Sequence, residues 1–165
     1  MSTDDFKNFV LMFVKLFVAE VPEVGEDTTR FALVTFSDPN DVQLVFNYKA
    51  NNFDRDTIIA AVDTAEHLKG LTMAGAALKV VHETVNKPSQ GFGLNGDGSR
   101  FKTTVVLITD GKATDQSILK DQADIIKAED DTYIYTIGVG DRISDDQLEL
   151  VATFDGFKNG VGTDF

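Results

Sequence analysis

The sequence has no cysteine among its 165 residues. Disulfides, zinc–thiolate centres and thiol nucleophiles are therefore excluded, although this leaves the cellular compartment open. It has no run of about 18 uncharged apolar residues, the length needed to cross a bilayer. The best stretch, residues 6–21, is broken by Lys7, Lys15 and Glu20. No basic segment leading into an apolar one follows Met1, so no signal peptide is visible. Basic charge is also scarce: 15 Lys and Arg stand against 27 Asp and Glu, for a net charge of −12. Such a chain is repelled by phosphate backbones, which argues against a nucleic-acid partner. It suits cations, but most of the carboxylates read as a solvated acidic surface. No G-x-S-x-G elbow occurs, so a hydrolase triad has no support. The two histidines, His67 and His82, sit on expected helices with no partner at ligand spacing, and read as ordinary helical residues.

What is present points to one globular domain of ordinary size, with 42% apolar residues and thirteen Phe. Phe6, Phe9, Val10, Phe13, Val14, Phe17 and Val18 recur at steps of three and four, predicting a helix with a broad apolar face, while Leu11, Met12 and Leu16 fall off that stripe. Ser2, Thr3, Asp4 and Asp5 supply its cap and first-turn acids. Arg30–Asp38 and Val42–Phe46 predict an antiparallel hairpin about Asp38-Pro39-Asn40. Helices are expected over Ile58, Ile59, Val62 and Leu68, stopping at Gly70, and from about Ala74 to Asn86. Lys102–Thr109 reads as the best-buried strand. A helix capped by Asp115 and carrying Ile118, Leu119, Ile125 and Ile126 should follow. Then comes a strand in TYIYTIGVG, and a helix with Ser144 and Gln147 as a capping box. Lys158–Val161 is a candidate last strand. Strands alternating with helices predict an α/β fold, doubly wound, with a mostly parallel sheet.

GFGLNG matches G-x-G-x-x-G at Gly91, Gly93 and Gly96, but a helix precedes it and a strand follows. A dinucleotide loop requires the reverse, so this reads as a plain loop. Two other residues carry more. In a parallel sheet, ligands gather beyond the carboxyl ends of strands. Asp110 follows the strongest strand there, and Thr72 lies just before the helix that starts with the small residues Gly75, Ala76 and Ala77, which permit close approach to the sheet. Each has a plain alternative: Thr72 as a helix cap, Asp110 as a turn former. Together they offer a hydroxyl and a carboxylate, hard donors that suit Mg²⁺, Mn²⁺ or Ca²⁺.

The segments TRFALVTFSD, GLTMAGAAL, KTTVVLITDGKATD and YIYTIGVGD, followed by LELVAT, resemble a von Willebrand factor A domain in order and separation, over nearly the whole chain. The nearest types are the extracellular-matrix, matrilin- or collagen-like members. The resemblance implies a central sheet flanked by helices and a metal-ion-dependent adhesion site holding Mg²⁺ or Mn²⁺, with Thr72 and Asp110 as two of its contributors. Lys112 and Thr114 border that site as partner-binding candidates. It implies a non-enzymatic, protein-binding adhesion module at the cell surface or in the matrix, with a partner carboxylate completing the metal. The alternative is an intracellular A domain serving as the non-catalytic partner of an ATPase or metal-chelatase assembly.

One departure stands out. The family's D-x-S-x-S loop and the strand before it have no counterpart here, and Met1 leads straight into the first helix. The chain therefore reads as a single A-like domain, 1–165, incomplete at its amino end and stopping before the family's last helix. A D-x-S-x-S loop is expected upstream of Met1 in the parent protein, preceded by a signal peptide. Without that loop, metal binding is expected to be weak or absent. Without the central strand, its neighbours lack ladder partners and the fold should be marginal, unless another segment fills the place or the sheet closes up.

Overall fold

In the computed structural model, which describes residues 1–93, 98–99 and 101–154, four strands form. β1 (Leu33–Phe36) and β2 (Val42–Phe46) pair antiparallel, with Leu33 opposite Phe46 and Phe36 opposite Val42. The Asp38–Asp41 turn closes them, the Asp41 N–H donating to Asp38 O at 2.9 Å. β3 (Thr103–Thr109) and β4 (Thr132–Gly138) pair parallel, Thr103 opposite Thr132 and Thr109 opposite Gly138. Five helices flank them: α1 (residues 3–20), α2 (Arg55–Val62), α3 (Ala74–Val80, carried on by Val81–Val85), α4 (Gln116–Lys127) and α5 (Asp145–Val151). This is the α/β arrangement with a parallel sheet and flanking helices that the alternating pattern predicts.

The strands do not make one sheet. Among the described residues β1 bonds only β2, and β3 only β4. Among the described residues no further strand forms, and the core divides into two clusters. One cluster gathers Leu78, Leu107, Leu119, Ala123, Ile126, Ile134 and Val151 around α3, α4, β3 and β4. The other gathers Leu11, Val18, Phe46, Ile58, Val62 and Ala65 around α1, α2 and the hairpin. Domains of this size usually build one contiguous core. β1 touches both clusters, Phe36 packing against the first and Leu33 against the second. β3 is less buried than its composition suggests: Thr103, Leu107 and Thr109 are buried, Val105, Val106 and Ile108 half-buried, and Thr104 exposed.

Local chemistry explains where the helices match expectation and where they do not. α1 opens with a capping box: Ser2 Oγ accepts from the Asp5 N–H at 3.0 Å, and the Asp5 carboxylate accepts from the Ser2 N–H. Its buried face is not the expected stripe. Leu11 and Val18 are buried, whereas Phe9, Phe13 and Phe17 are exposed at 63%, 42% and 46%. Phe6–Leu11 winds with the wider i→i+5 pattern, which takes more residues per turn than the 3.6 that the stripe assumes. Counting across that segment therefore loses phase: Leu11 swings inward and Phe9 outward.

α2 ends at Val62 rather than running to Gly70. The Thr64 hydroxyl donates to Ala61 O at 2.7 Å, competing with the helical ladder. The chain then extends, and His67 lies off the helix instead of on it. α3 reaches Asn86 as expected, with a wide last turn. Gly75 does approach closely, but its neighbour is α4 and not the sheet: a Cβ there would lie 2.4 Å from the Leu119 nitrogen. Lys158–Val161 and Gly96 lie outside the described residues.

Because Leu11 is 4% exposed inside a packed cluster and Phe9 is largely in solvent, Leu11→Ala is expected to cost about 2–5 kcal/mol and Phe9→Ala under about 0.5 kcal/mol. Urea unfolding of the two variants reads the difference, and equal losses would contradict the observed helix phase.

Candidate functional site

Three loops meet at the carboxyl ends of β1 and β3. The first, just after β1, carries Ser37 and Asp38. The second, residues 70–73, leads into α3. The third, residues 110–115, joins β3 to α4. The second loop bonds to both of the others. Its Leu71 N–H donates to Asp38 Oδ1 at 2.9 Å and its Met73 N–H to Ser37 O at 3.1 Å. On its other side Thr72 O accepts the Thr114 N–H at 2.8 Å. β1 and β3 consequently end at the same rim and run the same way, although no ladder joins them.

Thr72 and Asp110 are brought together at this rim. A Cβ built on Gly111, the residue after Asp110, would stand 3.4 Å from Thr72 Oγ1, so that hydroxyl closes on the Asp110 turn. Thr72 is not a helix cap, since Met73 holds that position without a side-chain bond. The Asp110 carboxylate is ion-paired with the Met1 ammonium, and its side chain keeps 31% exposure. Lys112 and Thr114 are exposed beside it. The α1 amino end is held over the rim by a second contact, Thr3 Oγ1 lying 3.1 Å from His67 Nδ1, while the Phe6 ring stacks on His67 at 5.0 Å between centroids. Desolvation holds the His67 imidazole below its ordinary value, helped by the nearby terminal ammonium and Lys69 and opposed by Asp110.

The residues that fasten this rim are ones the sequence reading placed elsewhere. Asp115 does not cap its own helix with its side chain. Its carboxylate accepts instead from the Gly75 and Ala76 N–H groups of α3, at 3.1 and 2.8 Å, so it caps a helix forty residues away. Gln147 makes no capping box with Ser144. Its buried Oε1 accepts from the Ala113 N–H at 2.7 Å and pins the loop that carries Lys112 and Thr114. His82, read as an ordinary helical residue, is on its helix as expected and has Glu129 Oε1 3.0 Å from its Nδ1. All three partners are remote in sequence, and no local spacing announces them. The run of small residues at Gly75 was the one available signal, because only a glycine leaves room for the Asp115 carboxylate.

The donor set is too small for a metal centre. Mg²⁺ demands near-octahedral oxygen ligation. Here one carboxylate, already facing an ammonium, and one hydroxyl converge. Among the described residues no group of three His, Asp or Glu side chains is placed to hold an ion. The Ser2 hydroxyl, near the rim at the start of the chain, is engaged on the α1 cap. The residues present therefore do not fit Mg²⁺ or Mn²⁺ by themselves.

A family model described as von Willebrand factor type A domain matches residues 1–159. The transmembrane cell adhesion receptor mua-3 of Caenorhabditis elegans is 30% identical over 148 residues, covering 89% of this chain and 4% of the receptor. The collagen alpha-5(VI) chain of Homo sapiens is 26% identical over 130 residues, covering 77% of this chain and 5% of the collagen. The chain thus spans a small part of either relative. Among solved structures, proximal thread matrix protein 1 from the mussel byssus superposes with a TM-score of 0.80 at 26% identity, over 92% of this chain and 37% of that one. Manganese-loaded Plasmodium vivax TRAP protein superposes with a TM-score of 0.72 over 91% of this chain and 56% of that one; at 17% identity it speaks for the fold alone.

Two measurements check this geometry. Asp115→Ala strands two backbone donors in a nearly closed site, and is expected to cost about 1–3 kcal/mol per unmet donor, with Asp115→Asn losing less, as read by thermal unfolding. In an NMR titration His67 should protonate below the ordinary imidazole value. Its folded form is then neutral where the unfolded one is already charged, so its contribution to stability is present above the ordinary value. That contribution is lost as pH falls from there through the folded one. A His67 titrating above the ordinary value would refute the described environment.

Proposed function

The chain belongs to the von Willebrand factor type A domain family, and from that premise we propose that it is a protein-binding module of an adhesive or extracellular-matrix protein, without catalytic activity. The observation that carries the reading is the rim itself: Thr72 and Asp110, separated by 38 positions, meet beside exposed Lys112 and Thr114 at the carboxyl ends of parallel strands. Its relatives support the setting, being a cell adhesion receptor, a collagen chain and a thread matrix protein. The same relatives support placing the parent protein at the cell surface or in the matrix. The alternative, a partner of an intracellular ATPase, finds no echo in them.

The partner engages this rim through Lys112 and Thr114, which stand clear of the fold on the loop pinned by Gln147. A complete site would place Mg²⁺ or Mn²⁺ between Thr72, Asp110 and a D-x-S-x-S loop, leaving one position for a partner's carboxylate. This chain supplies two of those donors, and its own affinity for the ions is weak or absent. One solved form of the mussel protein is described with zinc in that motif, which shows the relative's chemistry and not this chain's. With a direct contact at the rim, an acidic side chain of the partner meets Lys112 without an intervening ion.

Calorimetric titration with Mg²⁺ and Mn²⁺ should give at most millimolar-range binding, and sub-micromolar binding lost in Asp110→Ala would contradict the proposed metal deficit. Surface-plasmon capture of purified matrix collagens by the immobilised chain should fall several-fold in the Lys112→Ala/Thr114→Ala double variant, with its melting temperature unchanged. Capture that is unaffected by both substitutions would remove the rim from the binding surface.

A further inference from the structure

Of the eleven large apolar side chains exposed among the described residues, five lie on α1. Phe9, Phe13 and Phe17 follow one another at steps of four, and Met12 and Leu16 fill the row beside them. All five are 42–63% exposed, so they form one stripe on the side of α1 opposite the buried Leu11 and Val18. The stripe is braced at one end. The Phe13 and Phe17 rings stack with centroids 6.3 Å apart, and Phe31 meets Phe17 edge-on at 6.4 Å. At about 150–250 Å² per large side chain, the exposed fractions amount to roughly 500 Å² of apolar surface in one place. A patch of that size is at the upper end of what a monomer shows and is commonly an interaction site.

Local charge says what kind of partner fits. Residues 6–19 contain Lys7 and Lys15 and no acid, in a chain with 27 acids. Lys15 is already paired with Asp63 at 2.7 Å. The stripe therefore lets two copies of an acidic molecule approach without setting carboxylates face to face. The exposed acids at its two ends, Asp4, Asp5 and Glu20, and the net charge of −12 oppose docking on an anionic lipid surface.

We propose that α1 is a self-association surface, through which two copies of the chain pair isologously about a two-fold axis at Phe13. The two helices run antiparallel across each other. Phe13 then meets its own counterpart, and Phe9 of one copy packs beside Phe17 of the other. Rows at steps of four, set into each other's grooves, cross at about 50°. The stripes of both copies together bury about 1,000 Å², the low end for a specific interface. The dimer is accordingly reversible, with a dissociation constant of roughly 10–100 μM. At lower concentration the chain is a monomer, and Phe9 behaves as a surface residue in its unfolding. A dimer carries two rims, so a partner with repeated sites is held with higher apparent affinity. Only that last consequence rests on the rim as the binding surface; the pairing itself does not.

Sedimentation equilibrium over a range from about 5 to 500 μM tests it. The average mass should rise from one chain toward two. The rise should be larger in about 0.5 M salt than in dilute buffer, because salt screens the repulsion between acidic copies and does not weaken an apolar contact. Phe13→Glu places two carboxylates at the axis and should abolish the dimer, and Phe9→Ala should weaken it several-fold. Ile125→Ala, which trims an exposed apolar residue of α4, should leave it unchanged. The chain has no cysteine, so single introduced thiols give a second readout in folded protein. Phe13→Cys should form a disulfide-linked dimer roughly tenfold faster than Ile125→Cys, and Phe9→Cys should link to Phe17→Cys when the two are mixed. A one-chain mass at every concentration overturns the proposal. So does a dimer indifferent to Phe13→Glu, or Ile125→Cys linking as fast as Phe13→Cys. Co-sedimentation with phosphatidylglycerol vesicles in place of self-association would assign the stripe to a lipid surface and equally overturn it.

Discussion

Two half-sheets that share no ladder are held in register by one short loop. Residues 70–73 bond β1's exit through the Leu71 and Met73 N–H groups and bond β3's exit through the Thr72 carbonyl. Gly70 is what lets the loop lie this close: a Cβ there would stand 2.6 Å from both Asp38 carboxylate oxygens and from Ser37 Oγ. A side chain there would have to displace the Asp38 carboxylate, which holds the Leu71 N–H, and the Ser37 hydroxyl. The rim, the common direction of β1 and β3, and the meeting of Thr72 with Asp110 all descend from this packing. It is a backbone solution to a problem that a continuous sheet would solve with a ladder.

The opposite end of the molecule is tied by different chemistry. Arg30 donates to Gly91 O at 2.6 Å and stacks its guanidinium over the Phe101 ring, 4.2 Å from the centroid. A planar, permanently charged fork can do both at once, which an ammonium cannot. Nearby, burial pushes the Tyr48 hydroxyl up to about 12, with the Glu129 charge adding to it. Tyr48 is therefore a neutral donor to Asn86 Oδ1, at 3.2 Å, at neutral pH.

The two carboxylates at the candidate rim each have a partner. At the ends of β1 and β3 Asp38 accepts the Leu71 N–H, and Asp110 pairs with the Met1 ammonium. The loops that carry Thr72 and Asp110 are fastened in place by Gln147 of α5 and by the Asp115 carboxylate at the start of α4.

The sequence by itself determined the alternation of strands and helices, the hairpin at Asp38–Asp41, the extent of α3, and the positions of Thr72 and Asp110 as loop residues at strand and helix ends. These are local properties, written in periodicity, turn residues and caps. Only the tertiary structure decided that α1 would bury Leu11 and expose Phe9, because a wide helical turn changes the phase that sequence spacing assumes. The same holds for Asp115, Gln147 and His82, whose partners lie tens of residues away and leave no trace in local spacing. Whether the strands would close into one sheet was likewise a question of tertiary pairing. Ladder partners are chosen in space, and between β1 and β3 the described residues supply none.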